Sequence, residues 1–373
     1  MTDPCDRISS SCIPRWGGHK AAALATAETA RQRGLSVVVL DTFEHAPKVF
    51  GQAYLGAHLA WQSALPELYG SAYFAANHRD GAFEPVRRGF DHIAWAGLVH
   101  KVVALAPRAV IATHHLPLVV LGRARRQGWL DAPLVGVVTD YGTHAVWAER
   151  GVDALCVPGE RARRDALAHR FAGRVHTTGI PVRSAFERLD GVREPAPGEA
   201  LRVLVTSGGF GVGPIESVIR SFEGIEGIEL TVVCGRAAAL GRTARALAHR
   251  CGVRAEIVGF ERDMPARLAA AHVVVGKAGG LTVSETLTAG RPMVIAGAVP
   301  GNETLNAAFV EDGGAGVVED AGEVGALVRR LRDAKAIAPM GARARRLVLE
   351  HAADRVLDVA LHAAAGTSIR TVA

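Results

Sequence analysis

The stretch Gly276-Lys277-Ala278-Gly279-Gly280-Leu281-Thr282-Val283-Ser284-Glu285 joins an apolar segment, Ala271 to Val275, to a helical pattern that begins at Ser284. A buried strand, a glycine-rich turn and a helix in this order are typical of a doubly wound α/β domain. Glycines let a ligand approach the main chain closely, and the N–H groups at the start of a helix can face an anion. The stretch therefore predicts a turn that binds phosphate.

Two neighbouring features extend this site to a nucleotide sugar. Glu285 is predicted to lie in the first helical turn, where its carboxylate can accept hydrogen bonds from the two hydroxyls of a ribose. The segment Pro300-Gly301-Asn302-Glu303-Thr304-Leu305-Asn306 is a turn dense in amide and carboxyl groups, which suit sugar hydroxyls. Phosphate donors, a ribose acceptor and a polyol-binding turn together indicate a nucleotide-sugar site.

The length and composition favour a two-domain α/β protein. At 373 residues the chain exceeds what one hydrophobic core usually supports. It is 49% hydrophobic with 42 glycines and 5% aromatics, which excludes a disordered or fibrous chain. Five scattered cysteines without a C-x-x-C pair support neither a disulfide framework nor a zinc site, so a reducing cytoplasm is expected. No apolar run approaches the roughly 20 residues that a membrane span needs.

Arginines are clustered along a chain whose net charge is +6. For any one cluster a solvated helix face is a sufficient explanation, but together they can hold the protein against an anionic membrane surface, at about 1 kcal/mol per well-placed basic residue. Binding of nucleic acid is not predicted, because no base-stacking aromatics are interleaved with the arginines. The clusters are Arg87-Arg88, Arg123-Arg125-Arg126, Arg161-Arg163-Arg164, Arg329-Arg330-Arg332 and Arg343-Arg345-Arg346.

Helical and strand patterns alternate along both halves of the chain. The polar segment 191–200, rich in Pro and Gly, interrupts the alternation, which restarts with a strand at Leu201. We therefore predict two Rossmann-like, doubly wound domains, 1–190 and 201–373, joined by this linker, with the C-terminal helices in the second domain. The ligand crevice is expected between the two domains.

Two residues of the first half are candidates for the reaction centre. Gly17-Gly18-His19 immediately precedes a predicted helix. The His19 imidazole either faces a bound ligand or takes no part in binding and belongs to a capped helix. This segment alone favours the second interpretation. Asp140 is the last residue of a predicted strand that begins at Leu134, and it either takes a proton from an acceptor hydroxyl or caps the next turn. His114-His115 has no third ligand at useful spacing, so no metal site is predicted.

The loops of the second half carry weaker signals. Ser207 to Pro214 is glycine-rich but does not match the P-loop pattern, and it can add N–H groups to a diphosphate site. Arg236 at a strand end is either a bidentate phosphate donor or part of a surface salt bridge. Gly259-Phe260 at another strand end can pair with a base edge beside an aromatic wall, although Phe260 alone would be assigned to the core.

In this order, the segments resemble the monogalactosyldiacylglycerol synthase and processive diacylglycerol glucosyltransferase family. They are similar, more distantly, to the bacterial N-acetylglucosaminyltransferase that makes lipid II. The resemblance runs from about Gly17 to Gly316 and is carried in the first half by Gly17–Ala22, Asp131–Asp140 with His144 and Trp147, and Gly179–Arg183. In the second half it is carried by Gly208–Pro214, Cys234–Arg236, Gly259–Phe260 with Asp263–Pro265, Lys277–Gly280 and Pro300–Glu303.

The resemblance implies a GT-B fold with the acceptor domain first and the nucleotide-sugar domain second. It implies a hexosyltransferase that moves a hexose from a UDP-sugar to a diacylglycerol-like lipid with inversion. It implies no catalytic metal and no cofactor beyond the UDP-hexose donor. The enzyme is expected to be cytoplasmic and peripherally associated with the inner face of the cell membrane.

Roles follow from the resemblance by motif match. His19 is expected at the reaction centre, and Asp140 is the other candidate for the base or for orienting the acceptor. The substrate-binding positions are Gly18, His144 and Trp147 in the first half; Gly259 and Phe260 for uracil; Glu285 for ribose; Gly209, Gly211, Arg236, Gly279, Gly280, Leu281 and Thr282 for the diphosphate; and Asn302 and Glu303 for the sugar hydroxyls.

Some features depart from the family pattern and leave alternatives open. Asn302 stands where the family usually has Gln, so the hexose is not determined. Ser9 to Trp16 replaces an apolar strand end and a Gly-rich loop, which weakens the first predicted strand. The aromatics Trp61, Tyr69 and Phe74 either contact lipid or pack in the core. The alternative functions are transfer to a non-lipid acceptor, nucleotide-sugar epimerisation, and UDP-sugar binding without catalysis.

Overall fold

The computed structural model describes residues 7–12, 17–47, 56, 66–77, 95–209, 211, 213–298 and 300–368. The chain forms two compact units. The first comprises Met1–Ser184, Pro300–Asn302 and His351–Ala373, and the second comprises Ala185–Val299 and Glu303–Glu350. The sequence prediction divided the chain at 191–200 and kept the C-terminal helices in the second domain, whereas here the division follows Ser184 and the last helix joins the first unit.

Each unit contains a parallel six-stranded sheet among its described residues. The strand order is β2-β1-β3-β4-β5-β6 in the first unit and β12-β11-β10-β7-β8-β9 in the second. The strands are β1 (Arg7–Cys12), β2 (Ser36–Asp41), β3 (Ala109–Ala112), β4 (Leu134–Val137), β5 (Ala154–Val157), β6 (Arg174–Thr177), β7 (Leu201–Thr206), β8 (Ile228–Val233), β9 (Ala255–Val258), β10 (Val273–Gly276), β11 (Met293–Ala296) and β12 (Gly316–Glu319).

Helices connect the strands, as parallel pairing requires. They are α1 (Gly17–Gln32), α2 (Pro66–Ala75), α3 (Ala96–Leu105), α4 (His115–Arg126), α5 (Glu160–Ala168), α6 (Ser184–Glu187), α7 (Ile215–Arg220), α8 (Ala238–Arg250), α9 (Met264–Ala270), α10 (Gly280–Thr288), α11 (Asn302–Asp312), α12 (Val324–Asp333), α13 (Ile337–Leu347) and α14 (Ala352–Ser368). Two short 3₁₀ segments, Thr42–His45 and Ala145–Trp147, lie in the first unit.

Helices cover both faces of the first sheet, which explains the continuous apolar runs of β3, β4 and β5. On one face, α1 and α14 pack over a cluster that includes Ile8, Ile111 and Leu357. The inward face of α1 is built from alanines, whose small side chains let the helix come close to the sheet. On the other face, a larger cluster packs α3, α4 and α5 against the sheet. The second unit has its own core, which includes Val205, Val273 and Val294.

The segment just before the predicted linker is held by two arginines of the second unit. Arg291 is buried and donates hydrogen bonds to main-chain carbonyls, including that of Asp190 at 2.7 Å. Burial lowers the pKa of this guanidinium to about 10. Arg345 donates to the carbonyls of Glu187 and Leu189. The segment around residues 187–190 is therefore held along its main chain, where composition alone predicted only a polar connection.

Several predicted elements agree with the structure and some do not. The sequence pattern predicts strands at 154–157, 201–206, 228–233 and 255–258, and β5, β7, β8 and β9 have these bounds. β1 is a regular strand, paired with β2 and β3, despite its serine-rich sequence. β6 and β12 were not predicted. The helix α10 begins at Gly280 rather than at Ser284, so the prediction that Glu285 lies in the first turn was wrong: it lies in the second turn.

Candidate functional site

His19 lies near the start of α1, held at the carboxyl edge of the first sheet. Its ring atom Nδ1 is 2.9 Å from the carbonyl oxygen of Thr113, which follows β3. The same Nδ1 is 2.8 Å from Oγ1 of Thr139, which follows β4. The Thr113 hydroxyl in turn donates to the His19 carbonyl at 2.9 Å. Because parallel strands end at one edge of a sheet, two adjacent strands supply the contacts of this imidazole.

The surroundings of His19 set its protonation state. Burial lowers the pKa of the imidazole, and this effect exceeds the opposing effects of the Asp140 carboxylate and of the hydrogen bond to Thr113. At neutral pH the ring is therefore neutral and able to accept a proton. Gly18 lies in the same first turn of α1. The assignment of Gly18 and His19 to a reactive site stays a prediction.

The Asp140 carboxylate lies close enough to His19 to act on the pKa of its imidazole. Residues 300–302 are grouped with the first unit, and there the Asn302 amide donates to Asp140 Oδ1 at 3.0 Å. Asn302 and Asp140, predicted for different roles, are thus hydrogen-bonded to each other.

His144 and Trp147, both predicted to bind substrate, have contacts within the first unit. His144 Nδ1 accepts from the Val146 N–H at 3.1 Å and caps the 3₁₀ segment, while Nε2 is 3.0 Å from the Tyr73 carbonyl. Trp147 is 5% exposed and belongs to the core cluster of the first unit. These contacts hold the loop after β4, and the substrate-binding role of the two residues stays a prediction.

The predicted anion-binding turn lies in the second unit, at the start of α10. Gly279 precedes the helix without a side-chain cap, and the first intrahelical bond runs from Val283 N to the Gly279 carbonyl at 2.9 Å. The N–H groups of Gly280, Leu281 and Thr282 precede that bond, so they have no acceptor within the helix. Three such donors and the positive end of the helix dipole suit a diphosphate.

An ion pair lies beside this helix start. Lys277 Nζ is 2.8 Å from Glu303 Oε1, with side chains 24% and 11% exposed. A methyl group built on Gly279 would lie 4.0 Å from the same Glu303 oxygen. Glu303, predicted to bind sugar hydroxyls, is thus near the α10 start and neutralised by Lys277. Lys277 was not among the predicted site residues, although it stands inside the glycine-rich turn.

The loops after β7, β8 and β9 also meet at the carboxyl edge of the second sheet. Gly235 has φ +60°, and a Cβ there would lie 2.5 Å from the Gly208 carbonyl oxygen, so only glycine fits. The Arg236 N–H reaches the Gly209 carbonyl at 3.4 Å. A Cβ on Gly211 would lie 2.3 Å from that of Ala237. These glycines pack two loops together and bring their main chains to one place.

Arg236 and Phe260 form a stacked pair at this edge. The guanidinium carbon lies 4.2 Å from the centre of the Phe260 ring, which is a cation–π contact. Phe260 is 50% exposed and Gly259 is also exposed. The interpretation of Phe260 as a core residue is therefore wrong, and an aromatic surface is available beside an arginine. Glu285 is partly buried in α10.

The first unit has an apolar groove between α3 and α4, which we call the α3–α4 groove. It encloses about 300 Å³, and its rim carries the exposed Trp129 and Val103 together with basic side chains. Arg126 in the rim pairs with Glu149. The lining residues are Ala96, Val99, His100, Val103, Val119, Val120, Arg123, Ala124, Arg126, Gln127, Trp129 and Glu149.

The aromatic segment before α3 is only partly described. Phe74 is 44% exposed. Trp61 and the side chain of Tyr69 lie outside the described residues. Across the described part of the chain, each helix is too short or too polar to cross a bilayer.

Comparison with known proteins places both halves in glycosyltransferase families. Residues 19–182 match the family described as monogalactosyldiacylglycerol (MGDG) synthase, and residues 202–339 match the glycosyltransferase family 28 C-terminal domain. A processive diacylglycerol beta-glucosyltransferase of Bacillus cereus (strain AH187) is 25% identical over 355 residues, which is 92% of this chain and 90% of the relative.

Solved structures share the fold. MurG of Acinetobacter baumannii superposes with a TM-score of 0.66 at 19% identity, covering 95% of this chain and 99% of that one. Anabaena Alr3699/HepE in complex with UDP and glucose gives a TM-score of 0.54 at 15% identity, with 97% and 99% covered. The predicted GT-B fold of two parallel-sheet domains is therefore confirmed. The chain therefore combines a monogalactosyldiacylglycerol synthase domain at residues 19–182 with a glycosyltransferase family 28 C-terminal domain at residues 202–339, and the predicted UDP-sugar hexosyltransferase is confirmed.

Proposed function

We propose that this glycosyltransferase transfers a hexose from a UDP-sugar to a diacylglycerol-like lipid, with inversion at the anomeric carbon. The observation that carries the donor part is the start of α10, where three N–H groups precede the first intrahelical bond beside a glycine turn. The acceptor part is supported by the B. cereus relative, whose name specifies diacylglycerol. The HepE neighbour, which holds UDP and glucose, supports the donor class.

The second unit would hold the donor through groups at the carboxyl edge of its sheet. Phe260 offers a face for the uracil, and Glu285, one turn inside α10, offers a carboxylate for the ribose. The diphosphate would take the N–H groups at the start of α10, with Arg236 nearby. As UDP leaves, its β-phosphate gains negative charge, which these fixed donors stabilise. A divalent cation is not needed for that task.

The first unit would activate the acceptor. The hydroxyl oxygen of the lipid forms a bond to the anomeric carbon, and its proton passes to the neutral His19 imidazole. The bond between that carbon and the β-phosphate oxygen breaks, and its electron pair leaves with UDP. Attack on the side opposite to UDP inverts the anomeric configuration. Asp140, beside His19, would stabilise the imidazolium that forms.

Two variants test the assigned roles. His19→Ala should abolish transfer and leave UDP affinity nearly unchanged, because the histidine belongs to the acceptor side. Glu285→Ala should weaken UDP binding strongly. The assay is glycolipid formation from radiolabelled UDP-glucose or UDP-galactose and diacylglycerol in micelles, with UDP affinity from calorimetry. A full transfer rate in His19→Ala would exclude His19 as the base. Formation of an epimerised sugar without any acceptor would contradict the proposal that the enzyme is a transferase.

Metal independence has a separate test. Transfer should persist after treatment with a chelator, since the donors around the diphosphate are main-chain groups and side chains. Activity that disappears with the chelator and returns with manganese would contradict this part of the proposal.

We further propose that the enzyme works at the inner face of the cell membrane, with the α3–α4 groove against the lipid. Trp129, exposed beside a basic rim, is the type of side chain that enters a bilayer interface. Arg123 and the neighbouring basic residues suit an anionic surface. Acyl chains of anionic phospholipids are the occupants we assign to the groove.

A matched pair of variants tests this surface. Trp129 and Leu167 are each 48% exposed, but only Trp129 lines the groove. Trp129→Ser should reduce sedimentation with phosphatidylglycerol vesicles several-fold, while Leu167→Ser should not. UDP affinity should be unchanged in both. Equal vesicle binding by the two variants would exclude the groove as the membrane contact.

A further inference from the structure

The contacts of His19 Nδ1 restrict where the ring carries its proton. The Thr113 carbonyl oxygen, 2.9 Å away, can only accept a hydrogen bond. If Nδ1 presented a lone pair, two lone pairs would face each other at that distance. Nδ1 must therefore carry hydrogen and donate it. In the neutral ring the remaining lone pair is then on Nε2.

Thr139 must act as an acceptor in the same arrangement. Its Oγ1 is 2.8 Å from Nδ1, which has one hydrogen and no lone pair in this tautomer. The Nδ1 hydrogen is therefore shared between Thr113 O and Thr139 Oγ1. Thr139 is 2% exposed, so water does not replace this oxygen easily. Two oxygens from neighbouring strands thus hold one edge of the imidazole.

We propose that Thr139 is a positioning residue for the transfer reaction: with the Thr113 carbonyl, its hydroxyl oxygen holds His19 as the Nδ1–H tautomer and aims Nε2 at the acceptor hydroxyl. This inference rests on the proposed role of His19 as the base. In many enzymes a carboxylate performs this task by accepting from the far nitrogen of the histidine. Here a main-chain carbonyl and a threonine hydroxyl take that place.

The groups that face His19 agree with this role. The Asp140 carboxylate, next in the chain after Thr139, stabilises the imidazolium. The His114 ring, at the start of α4, packs edge-on against His19 with centroids 4.5 Å apart. His114 Nδ1 accepts from the Leu116 N–H at 3.0 Å, so His114 is engaged in capping α4. His114 therefore supports the His19 ring by packing, and its Nδ1 is already used.

Thr139→Val and Thr139→Ser separate the oxygen from the packing. Valine keeps the shape and removes the acceptor, whereas serine keeps the oxygen and removes the methyl group. Thr139→Val should lower kcat roughly tenfold, because part of a hydrogen bond to a group that becomes charged is lost. KM for the UDP-sugar should stay unchanged. Thr139→Ser should retain kcat within about twofold.

The pH profile supplies a readout that packing alone does not move. An oxygen that accepts from Nδ1 stabilises the imidazolium and raises the pKa of His19. Its removal in Thr139→Val should therefore shift the acid limb of kcat/KM to lower pH, with thermal unfolding compared to confirm that the fold is intact. If valine unfolds the protein, Thr139→Ala, compared with Thr139→Ser, gives the same contrast.

The outcomes distinguish this inference from the function on which it rests. Wild-type kcat and acid limb in Thr139→Val, with an inactive His19→Ala, would overturn the positioning role alone. Equal losses in Thr139→Val and Thr139→Ser would also overturn it, because serine keeps the oxygen, and the loss would then come from disturbed packing at this position rather than from a missing acceptor. Full activity of His19→Ala would instead overturn the assigned base itself.

Discussion

Replacing Lys277 by methionine should weaken UDP binding through the charge that it leaves on Glu303. The two side chains are 2.8 Å apart, and Glu303 Oε1 lies close to the start of α10, where the diphosphate is expected. Without Lys277, the Glu303 carboxylate loses this cation while it lies close to a bound diphosphate. Two unit charges about 4 Å apart interact by about 1 kcal/mol in water and about 4 kcal/mol near a protein surface.

The expected magnitude lies toward the lower end of that range. The lysine side chain is 24% exposed and the glutamate 11%, so solvent screens part of the repulsion. We expect a loss of about 1–2 kcal/mol, which is about 5- to 30-fold in the dissociation constant of UDP by calorimetry. Thermal unfolding without ligand serves as the control for stability.

The double variant Lys277→Met with Glu303→Gln decides between two roles of the lysine. If Lys277 acts by neutralising Glu303, the double variant should bind UDP within about threefold of the wild type, because both charges are gone. If Lys277 contacts a phosphate itself, the double variant should bind as weakly as Lys277→Met. That second result would refute the neutralisation argument, as would unchanged binding by Lys277→Met.

Three further predictions concern the donor side and stability. Gly279→Ala should leave the melting temperature nearly unchanged, because the nearest atom to the added methyl is 3.8 Å away. It should weaken the binding of UDP at least about tenfold. A UDP affinity equal to that of the wild type would place the diphosphate elsewhere. Phe260→Ala should weaken the binding of UDP about 5- to 100-fold, which is the range of base–aromatic stacking, while inhibition by inorganic pyrophosphate stays the same. Parallel losses of affinity for both ligands would contradict stacking of the base on Phe260. Burial lowers the pKa of His272 to about 4, so the unfolded chain binds a proton that the native chain does not, and stability is lost as pH falls from about 6.5 towards 4. In urea unfolding, this residue should make the free energy of unfolding about 2 kcal/mol lower at pH 5 than at pH 7. His272→Asn should reduce that difference. An identical difference in the variant would show that other groups cause it.

The fold was predictable because most of its strands are short runs dominated by apolar and β-branched residues. β7, β8 and β9 keep that pattern although each carries one charged residue, namely Arg202, Glu229 and Glu256. β6 is short and partly exposed at a sheet edge, with an arginine and a histidine, so it lacks that signal. The serine-rich β1 lies between β2 and β3, and main-chain pairing on both sides forms the strand where the side chains do not indicate one.

The start of α10 shows why helix ends are harder to predict than helices. Gly280 and Thr282 have low helix propensity, and Gly279 supplies no side-chain cap, so the local signal begins only at Ser284. Tertiary packing supplies the rest, since Leu281 and Val283 are buried in the second unit. The difference of one turn matters chemically, because it moves the donor N–H groups to Gly280, Leu281 and Thr282.

Motif membership alone does not separate a residue that meets the ligand from one that supports it. His19 and His144 both belong to segments of the family pattern, yet both nitrogens of His144 contact the main chain, whereas His19 is held through Nδ1 with the lone pair placed on Nε2. The atom that fixes His19 is a carbonyl oxygen, which every residue type has, so no amino-acid letter at position 113 reveals it. Thr139 could have been noticed beside Asp140, but a buried threonine after a strand is ordinary. The direction of a proton transfer therefore depends on main-chain positions that only the folded chain defines.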